Sequence, residues 1–143
     1  MTKTKLAKGG IVNEQSNAAL HQKAHEAFTR GDIDVLTEMI AEDTVWHWPG
    51  KSLISGEFRG REAVFRKFFG KMDELSGGTA KFVGHQDYLG NDEHSVALFR
   101  FAATRNGKTL EFKVCEDIRW RNGQIVEEWI YLDDQYGWDA LWS

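Results

Sequence analysis

Residues 95–133, SVALFRFAATRNGKTLEFKVCEDIRWRNGQIVEEWIYLD, decide the fold of this chain. Two Asn-Gly pairs, Asn106-Gly107 and Asn122-Gly123, interrupt segments that are rich in β-branched and aromatic residues. Asn-Gly is the strongest short hairpin signal, because both central residues of a type I′ turn need positive φ. The pattern therefore predicts an antiparallel meander. Its predicted strands span residues 80–89, 95–105, 110–121 and 124–133.

The part of the chain before the meander carries helical spacing of apolar residues. Gly31 stands where the first helix needs a C-cap, and Asp32 is placed to cap the second helix, which is predicted to stop near Glu42. The predicted helices span residues 13–30, 32–42, 64–75 and 134–142, and a short strand spans residues 44–48. Helices followed by a meander predict one α+β domain, with helices packed on one face of a curved antiparallel sheet.

Composition limits the class of protein. The 143 residues, of which 41% are hydrophobic and 28% charged, suit one globular domain over residues 13–143 behind a flexible lead over residues 1–12. A net charge of −4 leaves no basic surface, so neither nucleic acid nor a membrane is an expected partner. The single cysteine, Cys115, and the lack of a secretory signal favour a reducing cytoplasm.

One carboxylate is conspicuous in the predicted strand over residues 110–121. Alternate residues from Leu110 to Trp120 form a face on which five apolar side chains accompany Glu116, so period-2 alternation points Glu116 inward. A desolvated carboxyl group can serve as general acid, general base or hydrogen-bond donor. We predict that Glu116 is catalytic. The structural alternative is that it pairs with an arginine or faces water beyond a β-bulge.

Several motifs resemble the nuclear-transport-factor-2-like superfamily and, within it, the SnoaL-like proteins, over about residues 13–142. The motifs are Arg30-Gly31-Asp32, Ala41-Glu42-Asp43, Trp46-His47-Trp48-Pro49-Gly50, Gly60-Arg61-Glu62-Ala63 and Gly123-Gln124-Ile125-Val126-Glu127-Glu128-Trp129. The resemblance implies a cone-shaped, cystatin-like α+β barrel with a deep pocket, commonly dimeric. The superfamily includes ketosteroid isomerases, polyketide cyclases, epoxide hydrolases and noncatalytic binding modules, so function has to come from the site.

The resemblance also suggests roles for single residues. Glu116 falls about where ketosteroid isomerases place the protonated acid of their oxyanion hole. His47 falls about where epoxide hydrolases carry an amide that holds the attacking water. Two departures count against steroid isomerisation, because Trp48 replaces the general base before the proline and Ala24 replaces the oxyanion-hole tyrosine.

Two further polar candidates come from strand patterns. His85 and Asp87 share one strand face and could form a hydrogen-bonded dyad, although they match only half of the Arg-x-Asp motif of the epoxide hydrolases. The alternative is a solvated strand end. His47 alternates with Trp46 and Trp48, so either the tryptophans or the histidine faces the interior.

Aromatic residues are the candidates for substrate binding. Trp129 and Tyr131 share a face with Asp133 on the last strand and would lie opposite Glu116, although Asp133 could instead cap the closing helix. The residues predicted to contact substrate are Trp46, Trp48, His85, Phe101, Trp129, Tyr131 and Asp133. His21 and His25 have metal-binding spacing but no third ligand in the pattern, so a solvated helix face and no metal site are expected.

Two functional hypotheses follow. In the first, the chain is a cofactor-independent enzyme that isomerises, cyclises or hydrates a small cyclic or polyketide-like apolar molecule. Glu116 moves one proton, and His47 or the pair of His85 and Asp87 moves a second proton or a water. In the second, the same hollow belongs to a noncatalytic ligand-binding or dimerisation module. The resemblance further implies a homodimer formed through the outer face of the sheet.

Overall fold

One six-stranded sheet with helices on one face forms the fold. The computed structural model describes residues 16–143, so the expected lead over residues 1–12 lies outside the described part. The strands are β1 (Ile40–Trp48), β2 (Gly56–Arg59), β3 (Lys81–Gly90), β4 (His94–Arg105), β5 (Lys108–Arg121) and β6 (Gln124–Leu132). The helices are α1 (Asn17–Arg30), α2 (Ile33–Met39), α3 (Arg61–Ala63), α4 (Lys71–Ser76) and α5 (Gln135–Leu141), with a π-helical segment (Val64–Gly70) between α3 and α4.

The predicted α+β class is confirmed. The strand order is β2-β1-β6-β5-β4-β3, and the sheet is curved but unclosed, with β2 and β3 as its edges. Every neighbouring pair is antiparallel except β1 with β6, which is parallel. Within residues 16–143, no helix combines the length and apolarity needed to cross a membrane.

Both Asn-Gly turns adopt the predicted backbone. Asn106 and Gly107 have φ of 54° and 76°, and Asn122 and Gly123 have φ of 52° and 77°. These positive values are those that a type I′ turn requires. The turns join β4 to β5 and β5 to β6, so the meander is confirmed.

The helical half agrees with its prediction except at boundaries. Gly31 caps α1 with φ of 70°, and the Asp32 side chain accepts a hydrogen bond that caps α2. However, α2 ends at Met39 rather than near Glu42, because the following residues already pair with β6 as β1. The region before Gly60, for which the sequence predicts no helix or strand, contains the short edge strand β2, which pairs with the end of β1.

The closing helix is confirmed as α5, but its cap is Asp134. The Asp134 side chain accepts a hydrogen bond from the backbone N–H of Gly137. Asp133 instead accepts from the backbone N–H of Lys113, 3.0 Å away, so the suggestion that Asp133 caps this helix is wrong.

A bulge in β6 decides which residues face the helices. After the Asn122-Gly123 turn, Trp120 pairs with Ile125 but Arg119 pairs with Glu127, which leaves Val126 as an extra residue. The extra residue shifts the register by one and reverses the faces beyond it. Glu128 and Ile130 are consequently buried, whereas Tyr131 is 57% exposed. The expectation that Trp129, Tyr131 and Asp133 face the interior opposite Glu116 is therefore corrected.

Candidate functional site

An apolar cavity, here called the inner cavity, lies between the sheet and the helices. Its volume is about 60 Å³, which is room for a few water molecules. Three predicted substrate-binding residues, Trp46, Trp48 and Phe101, line it together with other aromatic side chains. Trp46 and Trp48 thus face inward, which settles the alternation left open for β1. Of the described residues in its wall, the polar ones are His25, Glu116 and Glu128.

A larger depression, here called the outer groove, adjoins the inner cavity and has a volume of about 1100 Å³. Its wall includes charged residues such as Glu26, Arg30 and Lys81. The two spaces share five lining residues, which are His25, Phe28, Leu36, Phe69 and Phe82. A ligand that enters the inner cavity from the outer groove therefore passes between these side chains, four of which are aromatic.

Glu116 is the acceptor at the centre of a buried hydrogen-bond network. Its Oε1 atom lies 2.7 Å from Nε2 of His21 and 2.6 Å from Nε2 of His25. The two histidines are four residues apart on α1, so both project from the same face of the helix towards β5. His21 is completely buried, and Glu116 is 8% exposed, as its alternation predicted.

The partners of His21 assign its tautomer. The Glu116 carboxylate can only accept, so neutral His21 carries its proton on Nε2, where it points at Glu116. Its Nδ1 accepts from the Ser95 hydroxyl over 2.7 Å, while Ser95 Oγ accepts from Trp120 Nε1, also 2.7 Å away. In neutral His25 the same logic places the proton on Nε2, while Nδ1 accepts from the Tyr88 hydroxyl at 2.9 Å.

This network keeps Glu116 ionised. Burial by itself raises the pKa of Glu116, but the electrostatic interaction with His25 and the hydrogen bonds from His21 and His25 outweigh burial and hold the pKa well below its ordinary value. Burial lowers the pKa of His21 despite its bond to Glu116, which agrees with a neutral imidazole. Burial and the Glu116 charge raise the pKa of Tyr88, so its hydroxyl stays protonated.

Glu128 is a second buried carboxyl group with the opposite behaviour. One oxygen, Oε2, accepts from Trp48 Nε1 over 3.1 Å, while Oε1 has no hydrogen-bond partner among residues 16–143. Burial first, and then the nearby charge of Glu116, raise the pKa of Glu128 well above its ordinary value, against the bond from Trp48. Glu128 therefore stays protonated when Glu116 is ionised.

The family model for the SnoaL-like domain matches residues 21–128, which contain Glu116, both histidines and Glu128. The chain belongs to the SnoaL-like family. An uncharacterised protein of Mycobacterium tuberculosis is 28% identical over 133 residues, covering 92% of this chain and all of that protein.

Solved structures share the fold of this SnoaL-like domain. Bal32a, from a soil-derived mobile gene cassette, is 36% identical with a TM-score of 0.84, covering 91% of this chain and 98% of that one. IdmH from Streptomyces antibioticus, a putative polyketide cyclase, is 22% identical with a TM-score of 0.67, covering 82% of this chain and 92% of that one. The second likeness shows a shared fold.

His47 lies on the outer face of the SnoaL-like domain, away from the inner cavity. Its Nε2 is 2.7 Å from Oε2 of Glu127, its Nδ1 is 3.3 Å from Oε2 of Glu57, and its ring stacks on Trp129. The side of β1 that faces inward is occupied by Trp46 and Trp48. His47 and Trp129 therefore cannot contact a ligand in the inner cavity.

His85 and Asp87 do form the predicted pair, with His85 Nε2 2.8 Å from Asp87 Oδ1. Both side chains are solvent-exposed, at 81% and 64%, and they line a shallow outer-face depression together with Tyr131 and Asp133. The pairing of β3 with β4 shifts register between Val83 and Asp87, so His85 lies within this irregular stretch and Asp87 lies at its end. These four residues lie on the side of the sheet opposite Glu116.

The prediction of a solvated face for His21 and His25 is wrong, because α1 packs against β3 and β4 and presents this face to Glu116. Their donor atoms and the Glu116 oxygen lie within 4.8 Å of one another, a ligand set that zinc can use. A metal would have to replace both Nε2 protons, whereas Ser95 and Tyr88 hold the Nδ1 atoms as acceptors. The assigned tautomers thus favour the hydrogen-bonded form.

Proposed function

We propose that this SnoaL-like protein is a cofactor-independent acid/base enzyme that acts on a small, neutral, cyclic or polyketide-like molecule. Glu128 donates a proton to an oxygen atom of the substrate, and ionised Glu116 stabilises the positive charge that develops. Such chemistry serves cyclisation, isomerisation and hydration of an epoxide or carbonyl compound. The observation that carries the proposal is the pair of buried carboxyl groups whose environments push their pKa values in opposite directions.

The geometry supports Glu128 as the proton donor. Its Oε1 is buried, lacks a partner among the described residues and belongs to a side chain in the wall of the inner cavity. A buried carboxylic acid without a hydrogen-bond partner costs folding free energy. A substrate oxygen that accepts a hydrogen bond from the Glu128 hydroxyl would supply the missing partner. Trp48 fixes the other oxygen, so the free one keeps a defined position.

The surroundings support a neutral, flat substrate. Aromatic faces dominate the wall, and they stabilise both planar rings and the cationic character that proton donation produces. The inner cavity alone is too small for a polycyclic molecule, so the substrate's reacting end would occupy the inner cavity and the remainder would extend into the outer groove. IdmH, a putative polyketide cyclase, shares this fold.

The test is a ligand screen followed by turnover. Neutral cyclic ketones, terpene epoxides and aromatic polyketides are screened by thermal shift, and hits are followed by NMR for conversion. Glu128→Gln keeps the shape and removes the proton donor, so we expect binding without turnover, a loss of about 10²-fold or more. Glu127→Gln, one residue away on the outer face, is the matched control and should react normally. Equal turnover by Glu128→Gln and wild type would refute the assignment.

A noncatalytic ligand-binding module is the second candidate. The small inner cavity counts against an enzyme that encloses its substrate, because pockets that enclose a drug-sized molecule have volumes of several hundred Å³. For a noncatalytic module, hits from the same screen would bind equally well to wild type and Glu128→Gln, and none would be converted. Conversion of any hit that depends on Glu128 would decide for the enzyme.

A further inference from the structure

Two hydrogen-bonded arms lead away from Glu116, and they end in different places. The Ser95 arm runs through His21 and Ser95 to Trp120, and all three are buried, with exposures of 0%, 0% and 7%. The Tyr88 arm runs through His25 to Tyr88. Tyr88 lines the outer groove, His25 lines both spaces, and Glu116 lines the inner cavity.

We propose that Tyr88 and His25 carry protons from the outer groove to the Glu116–Glu128 pair. The inference rests on the proposed function, because the pair needs a proton only after Glu128 has given its own to the substrate. Two ionised carboxylates at close range in an apolar cavity repel each other strongly. The pair therefore draws in one proton, and Tyr88 and His25 supply it without opening the inner cavity to bulk water.

The transfer balances along the assigned bonds. The Tyr88 hydroxyl proton moves to His25 Nδ1, and the His25 Nε2 proton moves to Glu116. Tyr88 takes a replacement proton from hydronium or buffer acid in the outer groove, so its oxygen carries no lasting charge. Glu116 and Glu128 then share one proton again, and His25 is left with its proton on Nδ1. Release of a proton runs through the same bonds in reverse.

The Ser95 arm cannot do this. Trp120 Nε1 has no lone pair to accept a proton, so the arm ends at a group that only donates. Its residues are also absent from the walls of both spaces. Ser95 and Trp120 are thus positioning residues that hold His21 as a fixed donor to Glu116. The two arms provide a matched comparison, since each supplies one hydroxyl to one histidine.

The remaining titratable groups do not offer another route. The ionisable side chains that face the pair are His21 and His25 from α1 and Tyr88 from β3, while β1 contributes only the Trp48 N–H. Asp117 lies next to Glu116 in β5 but points to the outer face, where it bonds His94. Among residues 16–143, His25 and its hydrogen-bond partner Tyr88 are therefore the ionisable side chains of this cluster that line the outer groove, and Tyr88 is the one that can pass a proton to His25 Nδ1.

The test measures proton uptake without a substrate. The protein is brought rapidly from alkaline to neutral pH, and the buried carboxylic-acid C=O band is followed by infrared spectroscopy. Loss of the band in Glu128→Gln assigns it to the pair. We expect Tyr88→Phe to slow the growth of the band by about 10²-fold, the lower end for a positioned proton-transfer group, without moving its midpoint pH. Ser95→Ala should leave the rate close to that of wild type.

Each other outcome is decisive. If Tyr88→Phe takes up the proton as fast as wild type, or if Ser95→Ala is slowed equally, protons reach the pair without passing through Tyr88 and the relay is refuted. Absence of a carboxylic-acid band from the wild type would overturn the protonated Glu128 of the proposed function and the relay with it. A normal band with unaltered kinetics overturns the relay alone.

Discussion

Glu116 and Glu128 are diagonal neighbours on the inner face of the β5–β6 pair, because Glu116 pairs with Ile130 and Glu128 pairs with Ile118. Diagonal positions on antiparallel strands lie within reach of long side chains. The two carboxyl groups therefore feel each other's charge in an apolar setting. Of these two carboxyl groups, only Glu116 accepts hydrogen bonds from His21 and His25, and this asymmetry decides which carboxyl group is ionised.

Glu128→Gln should change the pH dependence of stability. Folding raises the pKa of Glu128 above its reference value of 4.5, so the native state holds this proton more tightly than the unfolded chain. That contribution is complete below pH 4.5 and is lost as the pH rises towards the folded-state pKa. Glutamine does not ionise, so the Glu128→Gln variant does not lose stability from this group as the pH rises. In urea unfolding from pH 5 to 9, it should gain stability relative to wild type as the pH rises, and a constant difference would contradict the assignment.

Glu116→Ala should be strongly destabilising at pH 7, because it leaves the Nε2 protons of His21 and His25 without an acceptor. Each buried donor that is left without an acceptor costs about 1–3 kcal/mol. The outer-face control Glu127→Ala loses a half-exposed contact to His47 and should cost at most about 1 kcal/mol. Denaturant unfolding of both variants measures the difference. Equal losses would show that the Glu116 network does not stabilise the fold.

The same network predicts an acid limb of stability. Folding lowers the pKa of Glu116 below 4.5 and that of His21 below 6.5. Both contributions are complete above those values and are lost as the pH falls, first through His21 and then through Glu116. Wild type should therefore lose stability from pH 6.5 downward, and His21→Gln should remove the upper part of that loss. An unchanged profile in His21→Gln would be the contrary result.

The sequence was sufficient for the meander and for the direction of Glu116. The Asn-Gly turns need positive φ at both residues, and the alternation in β5 is strict, so local chemistry alone determines these features. The helix end at Gly31 and the cap at Asp32 follow from equally local rules. By contrast, the edge strand β2 is only four residues long and forms by pairing with β1, so its own segment carries little signal.

Two features of the site depend on distant contacts. His21 and His25 had the right spacing, but their partner lies 95 and 91 residues away in β5, and helix periodicity does not say which polar residues meet a sheet. Glu128 was missed because a regular hairpin from the Asn122-Gly123 turn would place Trp129 opposite Glu116. The bulge at Val126 shifts that register, and β6 is apolar on both faces, so alternation gives no warning.

A homodimer through the outer face of the sheet remains a prediction, and exposed apolar residues support it. Leu98, Cys115 and Tyr131 are successive cross-strand neighbours on β4, β5 and β6, and Leu98 and Tyr131 are 43% and 57% exposed. Light scattering should give twice the mass of one chain, and Tyr131→Glu should give a monomer. Leu53→Glu, at a 54% exposed residue outside the sheet, is the control. A monomeric wild type would refute the prediction.

Deletion of Val126 should remove the bulge and leave the faces of β6 unchanged. Without the extra residue, Glu127 follows Ile125 directly, so a regular hairpin still pairs Arg119 with Glu127 and Ile118 with Glu128. Glu128 therefore stays buried, and the variant should lose about 1 kcal/mol, because no core side chain is removed. Val126→Ala keeps the bulge and removes only a half-buried side chain, so it should also cost about 1 kcal/mol. Urea unfolding compares the two variants, and a loss of more than about 4 kcal/mol in the deletion alone would show that the fold needs the bulge itself and not only the register that follows it.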